Sequence, residues 1–334
     1  MEINASVYAN YDLYALSRGT EQIVFGEREA DHRTRSVVLL ERALSLVDVP
    51  SKGTMLDFGC GRGATLRAFS SLCPDWMLVG FEQNERFRDR VLSIPGVVGH
   101  LSGEPDRIPG FFDFISMVHV LEHLPDPRGV LQRLHTLLNP GGHLLIQVPN
   151  ILENPFDLVV VDHYSHFSPR VLSDLANAIG FEVMCLATDW IQKEVTLLLR
   201  SGGSLLSESK KKTAGSRDAE GLPQLGCWLD KVIDTAAFCA SGHELGIFGT
   251  AIAGTWLGSI LDERVTFFVD EDSQRVGRHH LAKPVIHPSR LSTQQRVFLA
   301  FPYPMALRIY RRVSAAFPAK FYLPPEPKKC ETRV

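Results

Sequence analysis

Short apolar runs alternate with amphipathic stretches from residue 54 to residue 200 of this chain. Continuous apolar runs are typical of strands buried on both faces, and amphipathic stretches of about ten residues are typical of the helices between them. The pattern predicts seven strands, at Thr54–Asp57, Met77–Phe81, Val97–Val98, Phe112–Val118, Gly142–Val148, Phe181–Ala187 and Glu194–Arg200. It predicts four helices between them, at Ala64–Leu72, Arg86–Ser93, Pro127–Leu138 and Pro169–Ile179. We therefore expect a seven-stranded α/β sheet that is parallel in its first half.

A second strand–turn–helix pattern follows a polar interval. Residues 201–221 are rich in Gly, Ser and Lys, which is typical of a flexible linker. The later pattern predicts elements at Trp228–Ala240, His243–Phe248, Val265–Val269, Val297–Phe301, Ala306–Ala315 and Lys320–Leu323. We expect a helical N-terminal segment at 1–50, a first domain at 51–200, the linker at 201–221, a smaller α/β domain at 222–323 and a tail at 324–334.

Composition and charge narrow the class of protein. The 334 residues are 45% apolar and 22% charged, with a net charge of -3. These values are typical of a globular chain and indicate no attraction to nucleic acid or to an anionic membrane. The six cysteines form no Cys-x-x-Cys pair, so we expect free thiols and no structural zinc. Without a membrane-length apolar run or an export pattern at the N-terminus, we expect a cytoplasmic protein.

The most informative stretch is a glycine-rich turn after the first predicted strand. Asp57 ends that strand, and Gly59, Gly61 and Gly63 follow before the next helix, as in the nucleotide sites of doubly wound folds. The pyrophosphate of a dinucleotide would be repelled by Asp57. S-adenosylmethionine carries no phosphate, and its ammonium group can pair with Asp57 while the glycines allow close approach. The turn predicts a methyl-donor site, and a plain tight turn is the alternative.

Two further strand ends extend this site. Glu82 ends the second strand, 19 residues beyond Gly63, where a carboxylate could accept hydrogen bonds from both ribose hydroxyls. A surface acid after a strand is the alternative interpretation. The third strand is followed by Leu101 and Ser102, whose backbone is expected to meet the adenine ring.

Four segments together resemble the class I S-adenosylmethionine-dependent methyltransferases, which have a Rossmann-like sheet. They read LDFGCGRG at 56–63, GFEQN at 80–84, FDFISMVHVLEHLPDP at 112–127 and LNPGGHLLIQVPN at 138–150. The resemblance covers about residues 50–200, and it implies S-adenosylmethionine as the donor with His119 near its methionine end. The predicted donor-binding residues are Asp57, Phe58, Gly59, Gly61, Glu82, Gln83, Leu101 and His119.

A base for the acceptor is expected after the fifth strand, at the edge of the sheet where ligands bind. Methyl transfer needs a positioned acceptor and, where required, a group that takes its proton. Histidine is the residue type best suited to accept a proton near neutral pH; His163 follows Asp162, and His166 offers a second imidazole. The alternative is that these residues cap the helix at Pro169 and pack a loop.

The two-domain plan also resembles the sugar C-methyltransferases that act on nucleotide-linked deoxysugars. These join a methyltransferase domain to a C-terminal Rossmann-like domain. The resemblance implies a base at Asp162-His163, in place of the family's Glu-His pair, and a loose match of its tyrosines to Tyr11 and Tyr14. The chain lacks the family's zinc module and carries Ala251 where the family has a glycine. The predicted catalytic residues are His163, Asp162, His166 and Tyr14, acting on carbon or oxygen of a nucleotide-linked sugar or related metabolite.

The same histidines allow a metal-dependent O-methyltransferase as an alternative. His119, Glu122 and His123 resemble the metal-binding turn of small-RNA 2′-O-methyltransferases, and side chains at i, i+3 and i+4 share one helix face. His163 or His166 would complete the set. Metal-free relatives carry the same run, so we predict a core role for it and no metal.

The second domain has its own glycine turn, in which Gly246, Gly249 and Gly254 precede a strand that ends in Asp270. An NAD(P)-binding oxidoreductase domain would use such a turn, but the tight G-x-G-x-x-G spacing is missing. Structural glycines, or binding of the nucleotide part of an acceptor, are the other interpretations. The basic residues that could meet a diphosphate, or form a solvated loop, are Arg275, Arg278, His279, His280 and Lys283. A donor-binding module without catalysis remains an alternative; the expected partner is a small molecule, and homo-oligomerisation stays open.

Overall fold

A computed structural model describes residues 23–24, 33–202 and 222–327. The chain divides into two compact units. The described parts of Met1–Leu152 and Asp162–Ala214 form the first unit, and those of Glu153–Val161 and Gly215–Val334 form the second. Tyr11, Tyr14 and residues 203–221 of the predicted linker lie outside the described residues. None of the helices in the described ranges is long and apolar enough to cross a membrane.

The first unit contains a seven-stranded sheet and a separate antiparallel pair, β1 (Ile23–Val24) and β2 (Arg33–Thr34). The sheet strands are β3 (Thr54–Phe58), β4 (Met77–Phe81), β5 (Val97–Leu101), β6 (Phe112–Val118), β7 (Leu138–Pro149), β8 (Glu182–Ala187) and β9 (Glu194–Arg200). Their order is β5-β4-β3-β6-β7-β9-β8, and β9 alone runs antiparallel to its neighbours. The predicted Rossmann-like sheet, parallel in its first half, is confirmed.

Helices cover both faces of this sheet. They are α1 (Arg35–Leu44), α2 (Ala64–Leu72), α3 (Arg88–Leu92), α4 (Pro127–Leu137) and α5 (Pro169–Ile179). Successive strand residues point to opposite faces, so Met55 packs with Leu39 and Phe69 of the α1–α2 side, whereas Leu56 packs with Leu134 and Leu172 of the α4–α5 side. Burial on both faces explains why the strands read as continuous apolar runs.

The bounds of one predicted strand change for a local reason. Strand β7 begins at Leu138, four residues before its predicted start at Gly142, because the register against β6 shifts between Phe112 and Phe114. The extra residues form a bulge that lets the chain pair with β6 on both sides of it.

The second unit is built on a six-stranded sheet. Its strands are β10 (Leu245–Phe248), β11 (Val265–Val269), β12 (His279–His280), β13 (Lys283–Ile286), β14 (Arg296–Leu299) and β15 (Lys320–Tyr322), in the order β12-β13-β11-β10-β14-β15. All pairs are parallel except β12 with β13. Helices α6 (Leu222–Cys239) and α7 (Ile252–Leu261) cover one face, and α8 (Tyr303–Ala316) covers the other. The predicted basic loop is thus partly strand, because such short strands leave no periodicity to read.

A short segment between β7 and α5 packs with the second unit. Residues Pro155–Val159 form a 3₁₀ turn. The ring of Phe156 is buried, with its centroid 5.4 Å from that of Trp228 and 5.8 Å from that of Trp256. The predicted first domain, 51–200, is therefore interrupted at Glu153–Val161. The apolar composition of this segment suits the core of either unit, so its local sequence does not show which unit it joins. Only its contacts with residues distant in sequence decide this.

Candidate active site

The glycine turn lies where the strand order of the first sheet reverses. From β3 the chain proceeds to β4 and β5 on one side, then returns to β6 on the other. Ligands bind at such switch points, beyond the carboxyl ends of the strands. Gly59 and Cys60 donate backbone N–H groups to the Phe81 carbonyl, with N···O distances of 2.8 and 2.9 Å. The turn is thereby attached to the end of β4.

Gly59 and Gly61 satisfy different requirements. Both have positive φ, 78° and 47°, in the left-handed region that favours glycine. A Cβ on Gly59 would overlap Val120 Cγ2, whereas a Cβ on Gly61 would have no protein atom within 4 Å. Gly59 therefore lets the turn pack against the residues after β6, and Gly61 borders open space.

The two predicted donor acids are held by hydrogen bonds. Ser116 Oγ donates to Oδ1 of the buried Asp57 at 2.6 Å, across the paired strands β3 and β6. Gly61 N–H donates to Glu82 Oε2 and Gln83 N–H donates to Glu82 Oε1, both at 2.9 Å. Each carboxylate oxygen of Glu82 has a second lone pair that a ligand hydroxyl could use.

The electrostatic environment of the turn is negative. Burial raises the pKa of the Cys60 thiol, and the charges of Asp57 and Glu82 raise it further. The two carboxylate charges, unlike burial, also favour a cation, and S-adenosylmethionine is cationic at its sulfonium and ammonium groups. At the end of β5, where the adenine is predicted to bind, the Leu101 carbonyl accepts from Glu82 N–H at 3.0 Å, and Ser102 Oγ donates to Glu85 Oε1 at 3.2 Å.

His119 lies between two carboxylates at the end of β6. It has a φ of 55°, its Nδ1 is 3.2 Å from Glu122 Oε1, and its Nε2 is 3.4 Å from Glu194 Oε2. Burial raises the pKa of Glu194, against the lowering effect of His119 and Arg35. Glu194 is not among the site residues predicted from the sequence. It begins the antiparallel strand β9, whose first residue pairs with Pro149 at the carboxyl end of β7, and knowledge of that reversed direction would have revealed it.

Asp162 pairs with a different histidine from the predicted one. The carboxylate Oδ2 of Asp162 is 3.1 Å from His123 Nδ1, and the Asp162 carbonyl is 3.2 Å from the same nitrogen. The pKa of His123 is raised because the hydrogen bond and charges of Asp162, together with Glu122, outweigh burial. His163 packs edge-on against the His123 ring, with centroids 4.6 Å apart, and its ring centroid is 6.3 Å from that of His166.

The three residues considered as metal ligands in the sequence, His119, Glu122 and His123, are not arranged on one helix. Leu121–His123 forms a 3₁₀ turn, and His119 precedes it with left-handed backbone, so the three side chains do not share a helix face. The structure instead brings together ligand atoms of Glu122, His123 and His163, all within 4.8 Å of one another.

In the second unit, most of the predicted nucleotide-binding residues serve the fold. A Cβ on Gly246 would overlap the Phe267 ring, and one on Gly254 would overlap the Gly249 carbonyl. Asp270 Oδ2 accepts from Thr250 Oγ1 at 2.7 Å and from Arg275 Nη1 at 3.3 Å. These contacts favour a structural use of the glycines.

Comparison with known proteins identifies the first unit. Residues 30–186 match a family model described as a methyltransferase domain. The chain is 32% identical over 133 residues to a trans-aconitate 2-methyltransferase of Methylobacterium radiotolerans, covering 38% of this chain and 49% of that protein. It is 26% identical over 138 residues to a ubiquinone biosynthesis O-methyltransferase of Pseudomonas paraeruginosa, covering 38% and 58%. The chain thus matches about half the length of these curated relatives.

A solved structure is similar as well: the N-methyltransferase NodS of Bradyrhizobium japonicum with S-adenosyl-L-homocysteine, at a TM-score of 0.39 and 19% identity, covering 50% of this chain and 85% of that one. The domain match, the sheet order and the glycine turn define a class I S-adenosylmethionine-dependent methyltransferase domain. The predicted domain class and its methyl donor are confirmed.

Proposed function

We propose that the whole chain transfers the methyl group of S-adenosylmethionine to a small polar acceptor. The observation that carries the proposal is the link between Gly61 and Glu82, which fixes a carboxylate beside an open turn at the switch point of the sheet. In the proposed complex Glu82 accepts hydrogen bonds from the ribose hydroxyls, and the charges of Asp57 and Glu82 stabilise the cationic donor. Leu101 lies toward the adenine, and His119 lies toward the methionine end.

The transfer itself is an in-line displacement. The acceptor atom attacks the methyl carbon, the bond between that carbon and the sulfur breaks, and S-adenosylhomocysteine leaves. The acceptor's proton passes to a histidine of the segment after β7, for which His163 and His166 are the proposed groups. Asp162 contacts His123, so its proposed contribution is to position that ring and the loop that carries His163.

The proposed acceptor is a small metabolite, and a nucleotide-linked sugar is the proposed class. The curated relatives are named for trans-aconitate and for O-methylation in ubiquinone biosynthesis, which supports small acceptors. The second unit exposes the basic side chains of Arg278 and His279, a kind of side chain that pairs with phosphate oxygens. An acceptor panel of free and nucleotide-linked sugars tests this class, and methylation of free sugars alone would exclude it.

Calorimetry of the full chain with S-adenosylhomocysteine tests the donor site. Loss of a charged hydrogen-bond acceptor is worth about 1.5–3 kcal/mol, so Glu82→Ala is expected to weaken binding about 10- to 100-fold. Glu182→Ala, which removes an exposed acid of β8 that pairs with Arg200, is the matched control and should bind like wild type. Equal affinity in Glu82→Ala, or no binding by wild type, overturns the proposed site.

Mass spectrometry tests the transfer. The full chain is incubated with deuteriomethyl-labelled S-adenosylmethionine and a metabolite extract, and a labelled product is expected whose fragments identify the methylated atom. His163→Ala should retain S-adenosylhomocysteine binding and lose turnover. Donor binding by wild type without any labelled product would favour a donor-binding module instead.

A further inference from the structure

The loop after β7 is attached to the turn after β6 by its backbone. Tyr164 and Ser165 donate N–H groups to the Glu122 carbonyl, with N···O distances of 2.8 and 3.2 Å. Farther along, Ile151 N–H donates to the Phe167 carbonyl at 3.0 Å. The side chains of Glu122, His123 and His163 are thus presented to one another by two restrained segments of the first unit.

One of these side chains has an unsatisfied buried atom. Glu122 is 1% exposed, and its Oε1 faces His119 Nδ1 at 3.2 Å. Its Oε2 has no hydrogen-bond partner among the described residues. A buried carboxylate oxygen without a partner is costly, and such an atom in a native structure calls for a missing partner. Besides His119 Nδ1, one ring nitrogen each of His123 and His163 lies within 4.8 Å of a carboxylate oxygen of Glu122.

The orientation of His123 suits metal binding. A carbonyl oxygen can only accept, so the contact between His123 Nδ1 and the Asp162 carbonyl places the proton of the neutral ring on Nδ1. The lone pair of the neutral ring is then on Nε2. The Asp162 carboxylate, 3.1 Å from Nδ1, completes the carboxylate–histidine arrangement that commonly orients histidine ligands of metals.

We propose that Glu122, His123 and His163 bind a divalent transition metal of the zinc or cobalt type, with Asp162 as the positioning residue for His123. Two imidazoles and one carboxylate suit such ions better than Mg²⁺ or Ca²⁺, which prefer oxygen ligands. Tetrahedral ligands at metal–ligand bonds of roughly 2.0–2.1 Å lie about 3.3 Å apart, so ligand atoms that are now within 4.8 Å of one another need to close by up to about 1.5 Å. Small side-chain rotations supply this movement.

Three protein ligands leave a coordination position for an oxygen of the acceptor. This part of the inference rests on the proposed methyl transfer, and it narrows the acceptor to molecules with a hydroxyl or an enolisable oxygen that can bind a metal. With His163 at the metal, His166 remains as the proposed proton acceptor. The ring centroids of the two histidines are 6.3 Å apart.

Titration of the metal-stripped full chain with Co²⁺, followed by visible absorption, tests the site without using activity. Wild type should bind one Co²⁺ with the spectrum of a four- or five-coordinate ion, and Zn²⁺ should displace it whereas Mg²⁺ should not. The isosteric Glu122→Gln and the variant His163→Ala should lose this spectrum, and Asp162→Asn should lower Co²⁺ affinity roughly 10- to 100-fold. His243→Ala, which removes an exposed histidine of the second unit, is the control and should titrate like wild type.

Absence of the spectrum in wild type, or an unchanged spectrum in both Glu122→Gln and His163→Ala, overturns the metal site. Circular dichroism of each variant establishes that it is folded. Calorimetry with S-adenosylhomocysteine after chelation separates the two proposals. The glycine turn proposed to bind the donor, from Asp57 to Gly63, contains none of the proposed metal ligands. Donor binding with no Co²⁺ binding removes the metal alone, whereas Co²⁺ binding with no donor binding removes the proposed function alone.

Discussion

Two glycines of the turn after β3, Gly59 and Gly61, offer a matched pair of substitutions. Both have positive φ, so an alanine at either position carries about 1–2 kcal/mol of left-handed backbone strain. A Cβ on Gly59 would also overlap Val120 Cγ2, while one on Gly61 would meet no protein atom within 4 Å. Overpacking of this kind costs roughly 1–3 kcal/mol. Gly59→Ala should therefore be the more damaging change to the fold.

We expect Gly61→Ala to lower the free energy of unfolding by about 1–2 kcal/mol and Gly59→Ala to lower it by about 2–5 kcal/mol. Equilibrium urea unfolding followed by circular dichroism measures both values. Val120→Ala removes the overlapping Cγ2 and leaves only its Cβ, 3.2 Å from the added methyl group, so the double-mutant cycle should show a coupling energy of roughly 1–3 kcal/mol. Equal costs for the two glycines, or no coupling with Val120, would refute this reasoning.

The same turn tests where the donor lies. A Cβ on Gly61 would project into the open space proposed for the donor, so S-adenosylhomocysteine should bind at least about tenfold more weakly to Gly61→Ala. Gly141→Ala is the control, because Gly141 has a φ of 78° and equally open surroundings but lies near the amino-terminal end of β7. Calorimetry on both variants decides the point, and wild-type affinity in Gly61→Ala would place the donor elsewhere.

Two further predictions concern stability. Burial, with the nearby charge of Arg200, lowers the pKa of His143 from its ordinary 6.5, so the unfolded chain takes up that proton first and the free energy of unfolding should fall as pH decreases below 6.5 toward the lowered value. Urea unfolding at about pH 7 and about pH 5.5 should show a smaller fall for His143→Gln than for wild type, and an identical fall would contradict this assignment. Phe156→Ala should destabilise the second unit by about 3–5 kcal/mol in urea unfolding followed by tryptophan fluorescence. The exposed Leu152→Ala should change it by less than about 0.5 kcal/mol, and an equally small effect of Phe156→Ala would remove that ring from the core.

Much of the first unit could be predicted because its local sequence leaves few alternatives. The runs at Met77–Phe81 and Phe112–Val118 are strands in the structure with the predicted bounds, since parallel strands buried on both faces show as uninterrupted apolar runs. The glycine turn after β3 could be predicted because glycines are needed where φ is positive or where the backbone approaches another chain segment closely. The position of Glu82 directly after the second strand could also be predicted, because the apolar run that forms this strand ends at Phe81.

The acceptor side could not be predicted in the same way. The contact of Asp162 with His123 joins residues 39 positions apart, and the contact of His119 with Glu194 depends on the reversed direction of β9. Because Asp162 and His163 are adjacent in the sequence, the sequence suggested that these two residues act as a pair. Adjacent side chains on a loop point in directions that depend on what the loop packs against, and here the backbone bonds to the Glu122 carbonyl decide them.

The amino-acid sequence by itself determined the α/β class, the position of the glycine turn and the methyl donor, because hydrophobic periodicity and glycine placement are local properties. Tertiary structure alone decided which core Phe156 joins, which histidine Asp162 orients, and which three side chains form the proposed metal site. All three depend on contacts between segments that are distant in the sequence. Which segments come into contact is decided by burial and geometry in the folded chain, and these leave no local pattern in the sequence.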